Sequence, residues 1–88
     1  MRIAKLKIDA AIVKDYIEVY QEVFGELKFV PFKVEHIYHE DVFEMVGCSP
    51  RFADVEEGSK LNEYELRLII NPKQRVLLDY KVVRVDGE

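Results

Sequence analysis

The chain has 88 residues, a formal net charge of −4, 49% hydrophobic residues and a single cysteine. A chain of this length forms one domain with a modest core, so residues 1–88 are expected to fold as a single unit, and one cysteine cannot build an internal disulfide framework. Neither a long apolar run nor a secretory signal pattern is visible, which predicts a cytoplasmic protein without membrane contact.

The first predicted elements are a strand and an amphipathic helix. Residues 2–8 alternate apolar and basic side chains, as expected of a strand with one buried face. Asp9 is placed to cap a helix in which apolar residues recur every three or four positions from residue 10 to residue 24. Gly25 is expected to end this helix in a left-handed conformation.

The middle of the chain carries weaker signals. Residues 27–34 are rich in Phe and Val, but Pro31 cannot donate a backbone hydrogen bond, so this segment is expected to be an edge strand or to contain a bulge. Residues 35–46 fit a strand or a helix by periodicity. Their β-branched and aromatic residues favour a strand, with a turn at Glu40-Asp41. Residues 47–62 are predicted to be a connecting loop.

Residues 63–85 give the clearest pattern, a β-hairpin. Two segments of alternating apolar residues flank Asn71-Pro72-Lys73-Gln74, in which Asn and Pro are favoured turn residues. The predicted register aligns the apolar residues on one face and forms two ion pairs on the other. Leu66 faces Tyr80 on the apolar side, and the ion pairs join Arg67 to Asp79 and Glu65 to Lys81.

The predicted element order is β-α-β-β-β-β, which indicates an α+β fold. We expect a two-layer sandwich in which one amphipathic helix packs on a mostly antiparallel sheet of four to five strands, closed by the C-terminal hairpin. A helix of about 15 residues spans only about 22 Å, so it covers one face of such a sheet. The other face is then free for water or for a partner, and a homodimer is expected.

Residues with catalytic or metal-binding chemistry are few. His36, His39, Glu40 and Cys48 most resemble metal ligands, but on a strand the two histidines point to opposite faces, and their spacing does not match zinc motifs. Cys48 would become a nucleophile only beside a histidine. Ser49 lacks the glycine-flanked nucleophile pattern, and no glycine-rich phosphate loop is present. The sequence therefore predicts no catalytic residue, metal or cofactor.

The charge distribution is uneven and leads to the main functional hypothesis. Residues 35–57 contain seven acidic residues and Arg51, a net charge of −6. Such a field repels nucleic acid and attracts basic protein surfaces, although acidic residues also protect strand edges from aggregation. The predicted partner-binding residues are Glu40, Asp41, Phe43, Glu44, Phe52, Asp54, Glu56 and Glu57.

Three classes of function follow from these patterns. We expect a small non-catalytic inhibitor or adaptor that docks on a basic protein surface and self-associates, in analogy with viral inhibitors that occupy nucleic-acid sites. The first alternative, binding of nucleic acid or nucleotide by basic residues of the sheet, is disfavoured by a pI of about 5.2. Those basic residues are Arg2, Lys5, Lys7, Arg67, Lys81 and Arg84. The second alternative is a small hydrolase or redox enzyme that uses Cys48 and a histidine.

Overall fold

The computed structural model describes residues 1–85, which form five strands and two helices in one α+β arrangement. The strands are β1 (Ile3–Asp9), β2 (Val30–Ile37), β3 (Val42–Cys48), β4 (Glu63–Asn71) and β5 (Val76–Arg84), and the helices are α1 (Ala10–Asp15) and α2 (Ile17–Leu27). The sheet order is β2-β3-β1-β4-β5. The pair β1 and β4 is parallel, and the other neighbours are antiparallel. The predicted fold class is confirmed.

The core lies between the helices and one face of the sheet. Its centre is β1, in which Ala4, Leu6 and Ile8 are at most 2% exposed. Lys5 and Lys7 lie between them and point to the opposite, open face, as the alternation in the sequence predicts. The other buried members of the same apolar cluster are Tyr20, Val23, Leu27, Phe29, Phe52 and Leu66.

The helical layer consists of two helices, whereas the sequence predicts one. Asp9 caps α1, because its Oδ1 accepts from the backbone N–H groups of Ala11 at 2.8 Å and Ile12 at 3.2 Å. At Tyr16 the backbone leaves the helical region, with φ −133° and ψ 40°, so the chain changes direction before α2 begins. The element order is therefore β-α-α-β-β-β-β.

The predicted end of the helix at Gly25 is wrong. The helix α2 continues to Leu27, and Lys28 takes the left-handed conformation, with φ 53° and ψ 41°. Leu27 is fully buried in the core, and it reaches this position only because the helix continues past Gly25. Packing of one apolar side chain thus outweighs the local preference of glycine for a helix end.

The C-terminal hairpin forms as predicted, but its register is different. Leu66 pairs with Val82, and Leu68 pairs with Tyr80. Each β5 residue from Asp79 onward is displaced by two positions from its predicted partner, because the turn includes Arg75 in the left-handed conformation (φ 56°) and Leu78 is an extra residue at a bulge. A shift of two keeps Tyr80 and Val82 on the core face, whereas before the bulge the shift is one, so Leu77 packs on the core and Leu78 is 63% exposed, contrary to the predicted register.

The two ion pairs predicted across this hairpin are wrong for the same reason. Asp79 lies opposite Ile69, and Lys81 lies opposite Arg67. Glu65 binds Arg67 along its own strand, with Arg67 Nε 3.0 Å from Glu65 Oε1. Charge complementarity between exposed side chains did not determine the register, which agrees with the small energies of such pairs.

Gly47 of β3 provides a test of the packing between the sheet and the start of β2. A Cβ atom at Gly47 would lie 2.4 Å from the Val30 carbonyl oxygen and 2.7 Å from Cε1 of Phe29. We therefore expect Gly47→Ala to lower the free energy of unfolding by about 1 to 3 kcal/mol. Gly25→Ala is the control, because no atom lies within 4 Å of its Cβ position. It should raise stability by about 0.5 to 1 kcal/mol. Urea denaturation measures both, and equal stability of the two variants would contradict the packing.

Burial of Tyr20 is expected to make the fold less stable at alkaline pH. Its side chain is 2% exposed, and burial, together with the charge of Asp9, raises its pKa from 10.0 to about 12. The unfolded chain loses the phenolic proton first, so the contribution to stability is complete below pH 10 and declines as pH rises through this interval.

We expect the titration of Tyr20 to lower the free energy of unfolding by about 1 kcal/mol between about pH 9 and about pH 11. Tyr20→Phe removes the titrating group, so the variant should lose that much less stability over the same interval. Urea denaturation of both proteins at the two pH values measures the difference. Equal alkaline losses in the two proteins would contradict the raised pKa.

Candidate functional site

The strand β2 is an edge of the sheet, and its apolar side chains are largely exposed. Among residues 1–85 it pairs with β3 alone. Val30, Phe32 and Val34 are 53%, 61% and 53% exposed, and we call these three residues the edge strip. The helices pack over β1, β3 and β5, which leaves the edge strip uncovered.

The first part of β2 is irregular, and the second part is regular. The predicted edge strand is confirmed, and a bulge is present as well, because the pairing with β3 shifts between Pro31 and Lys33. From Lys33 to Ile37 each residue pairs in sequence with a residue of β3. Among the described residues, no strand pairs with the other side of this regular stretch, so its backbone could accept another strand there.

The turn between β2 and β3 forms a second exposed surface. Residues 35–46 lie within the β2–β3 hairpin, which agrees with the strand interpretation of this segment, although the turn begins at Tyr38 and not at Glu40. Its turn consists of Tyr38, His39, Glu40 and Asp41, which we call the hairpin tip. Asp41 adopts a left-handed conformation with φ 52°, which Asp tolerates better than most residues.

Tyr38 is the dominant apolar feature of the hairpin tip. It is 82% exposed, the highest value among the exposed large apolar side chains of residues 1–85. Its ring centroid lies 4.2 Å from that of His36, which lies 4.7 Å from that of Phe43. His36 Nε2 is 3.5 Å from Asp41 Oδ1. Tyr38 therefore lies at the end of a row of aromatic rings, and the Asp41 carboxylate lies beside His36 in that row.

The predicted partner-binding residues are divided between two ends of β3. Glu40 and Asp41 belong to the hairpin tip, and Phe43 and Glu44 follow at the start of β3 with side chains on opposite faces. Glu40 Oε2 is 3.7 Å from Lys7 Nζ and 3.9 Å from His39 Nε2. Glu40 and Glu44 therefore lie near Lys7 on the open face, whereas Asp41 and Phe43 lie near His36 on the other face.

The other four lie beyond the far end of β3, roughly 20 Å away along the strand. Phe52 is 1% exposed and stacks on Tyr64 with 5.1 Å between ring centroids, so it is a core residue and cannot anchor a partner. Asp54 binds the N-terminal ammonium group, whose hydrogen bond and charge hold the Asp54 pKa below its usual value. Glu56 and Glu57 are exposed in a separate turn.

The basic residues considered for nucleic-acid binding do not share one face. Lys5, Lys7 and Arg67 lie on the open sheet face among acidic residues, whereas Arg84 lies opposite Tyr64 on the core face. Lys5 Nζ lies 3.9 Å from Glu63 Oε1, and Lys7 and Arg67 have carboxylate partners as well. Arg2 Nη1 donates to the Phe52 carbonyl at 2.7 Å, and Arg84 Nη2 donates to Asn62 Oδ1 at 2.9 Å. Binding of nucleic acid draws on a positive field, and this alternation of charges weakens such a field.

The side chains considered for catalysis are separated. Cys48 pairs with Val30, whereas His36 pairs with Phe43 at the other end of β3, so roughly 17 Å of strand lies between them. Ser49 is 2% exposed, and its hydroxyl donates to the Leu27 carbonyl at 2.6 Å. Ser49 therefore joins the helical layer to the sheet. Within residues 1–85, no group of three His, Cys, Asp or Glu residues could hold a metal ion.

A cleft of about 410 Å³ lies where α1 meets α2, and its lining includes Asp15, Tyr16, Glu18 and Arg75. The Arg75 guanidinium carbon is 4.8 Å from the centroid of the Tyr16 ring, and Nη2 donates to the Asp15 carbonyl. These contacts already engage the cation, and the carboxylates of Asp15 and Glu18 oppose an anion. The arrangement does not favour a phosphate site here.

Comparisons with protein-family models, with curated proteins and with solved structures find no match to this chain. In the part of the chain that the structure describes, no helix combines the length and the apolar character needed to cross a membrane. The two exposed surfaces of the β2–β3 hairpin, the edge strip and the hairpin tip, are therefore the features from which a function can be inferred.

Proposed function

We propose that this protein is a small non-catalytic binding protein, of the inhibitor or adaptor kind, which docks on a basic protein surface through the hairpin tip. The observation that carries the proposal is the exposure of Tyr38, at 82%, beside Glu40 and Asp41. Tyrosine is enriched among the residues that dominate interface energies, because it buries a large rigid ring and keeps a polar end.

The charge of the hairpin supports the choice of a basic partner. Residues 30–48 contain Glu35, Glu40, Asp41 and Glu44 against Lys33, a formal net charge of −3. Carboxylates around an exposed aromatic ring give the usual anatomy of an interface, an apolar centre with a polar rim. They also increase the rate of encounter with a positively charged surface and give it a dependence on salt.

The proposed site is confined to the first half of the acidic segment. Glu40 and Asp41 adjoin Tyr38, whereas Glu56 and Glu57 lie beyond the opposite end of β3. No contact among residues 1–85 favours a Cys48 enzyme or a nucleic-acid surface over this proposal.

The role of Tyr38 can be tested by truncation. Tagged protein captures its partner from the source cell, and the purified partner is then titrated calorimetrically. We expect Tyr38→Ala to raise Kd at least tenfold, because loss of a central interface tyrosine costs roughly 2 kcal/mol or more. Leu78→Ala is the matched control, since Leu78 is 63% exposed on the opposite edge strand. Wild-type affinity of Tyr38→Ala, or an equal loss in Leu78→Ala, would reject the hairpin tip as the site.

The acidic rim is tested by charge reversal at one end of β3 at a time. Glu40→Lys should weaken binding several-fold at low salt and less at high salt, because screening removes the attraction to a basic surface. Glu56→Lys makes the same change of charge in the other turn and should bind as the wild type does. The opposite ranking of the two variants would place the partner at the far end of β3.

A further inference from the structure

We infer that a second copy of this chain pairs with the free edge of β2, so that two β2 strands run antiparallel about a two-fold axis through Val34. This inference concerns the edge strip and does not depend on the proposed role of the hairpin tip. The regular stretch from Lys33 to Ile37 supplies an unpaired strand edge, and the edge strip supplies apolar side chains that are more than half exposed.

The sequence of β2 is complementary to itself in one register. In a regular antiparallel pair, opposed residues lie on the same face of the sheet. If a two-fold axis relates the two strands, one residue must therefore lie opposite its own copy, with the axis between them. An axis through Lys33 would oppose two lysines, and an axis through Glu35 would oppose two glutamates. An axis through Val34 places Lys33 of each copy opposite Glu35 of the other, which forms two attractive pairs around a contact between valines.

The charges within one copy favour the same arrangement. Glu35 lies opposite Glu44 of β3, a like-charged pair, and Lys33 lies opposite Val46. None of the ion pairs among residues 1–85 involves Lys33 or Glu35. The second copy would therefore supply the opposite charge that each of these side chains lacks in its own sheet.

The other edge strand, β5, shows a comparable alternation of Asp79 and Lys81 and carries two exposed large apolar side chains, Val76 at 43% and Leu78 at 63%, against the three of the edge strip. Leu77, Tyr80 and Val82 pack against the apolar core, and α2 lies against β5. No residue of β2 belongs to the core cluster or to the side chains packed on it. Pairing at β2 therefore engages three exposed apolar side chains rather than two, and burial of apolar surface favours association.

Sedimentation equilibrium of charge variants tests the register. Lys33→Glu and Glu35→Lys each place like charges opposite one another twice, so each variant alone should dissociate at least tenfold more readily than the wild type. Mixed in equal amounts, the two variants restore both attractive pairs and should form a heterodimer near twice the chain mass of 10.4 kDa. The double variant should dimerise as the wild type does.

The variants should fold, because Glu35→Lys would face Glu44 and Lys33→Glu would face Val46; circular dichroism checks this point. Lys81→Glu is the matched control on β5 and should dimerise normally. A monomeric wild type at low salt, single variants that dimerise normally, or a mixture that stays monomeric would each overturn the inference. Dissociation by Lys81→Glu would also overturn it in favour of β5. Partner binding is measured separately with Tyr38→Ala, so that failure of the dimer and failure of the hairpin tip remain distinguishable.

Discussion

The alternation of buried and charged side chains along β1 determines most of this structure. Ala4, Leu6 and Ile8 are almost completely buried on one side, and the lysines between them occupy the other. Since β1 is the central strand, its neighbours must turn their apolar residues to the same side. The helices then cover that side, and the opposite face carries ion pairs. A single strand thus determines which face becomes the core and leaves β2 and β5 as the edges.

Elements that depend on local periodicity could be predicted from the sequence, whereas details that depend on single backbone conformations could not. The strands, the capping by Asp9 and the edge position of β2 follow from side-chain spacing and from Pro31. The hairpin register depends on the left-handed conformation of Arg75 and on the bulge at Leu78. Neither Arg nor Leu favours such a conformation, so the residue types do not predict it. The break at Tyr16 is of the same kind.

The candidate site was only partly predictable, because charge counted along a chain differs from charge arranged in space. Residues 35–57 form one acidic run in the sequence, but β3 carries the chain from one end of the sheet to the other. The run is therefore divided into two groups. Phe52 was indistinguishable from an exposed anchor, since a loop residue has no periodic pattern, and its burial depends on contacts with Phe29 and Tyr64.

The difference between the two edges of the sheet has a consequence for assembly. If both edge strands could pair with further copies, the sheet would grow from copy to copy without limit. If only one edge strand can pair, assembly stops at two copies related by a two-fold axis. The β5 edge is less suited to pairing with another copy, because α2 contacts β5 and because Tyr80 and Val82 are partly buried. On β2, Pro31 and the bulge confine regular pairing to Lys33–Ile37. The open edge is therefore short, and its alternating charges favour the register centred on Val34, which favours the proposed dimer over aggregation.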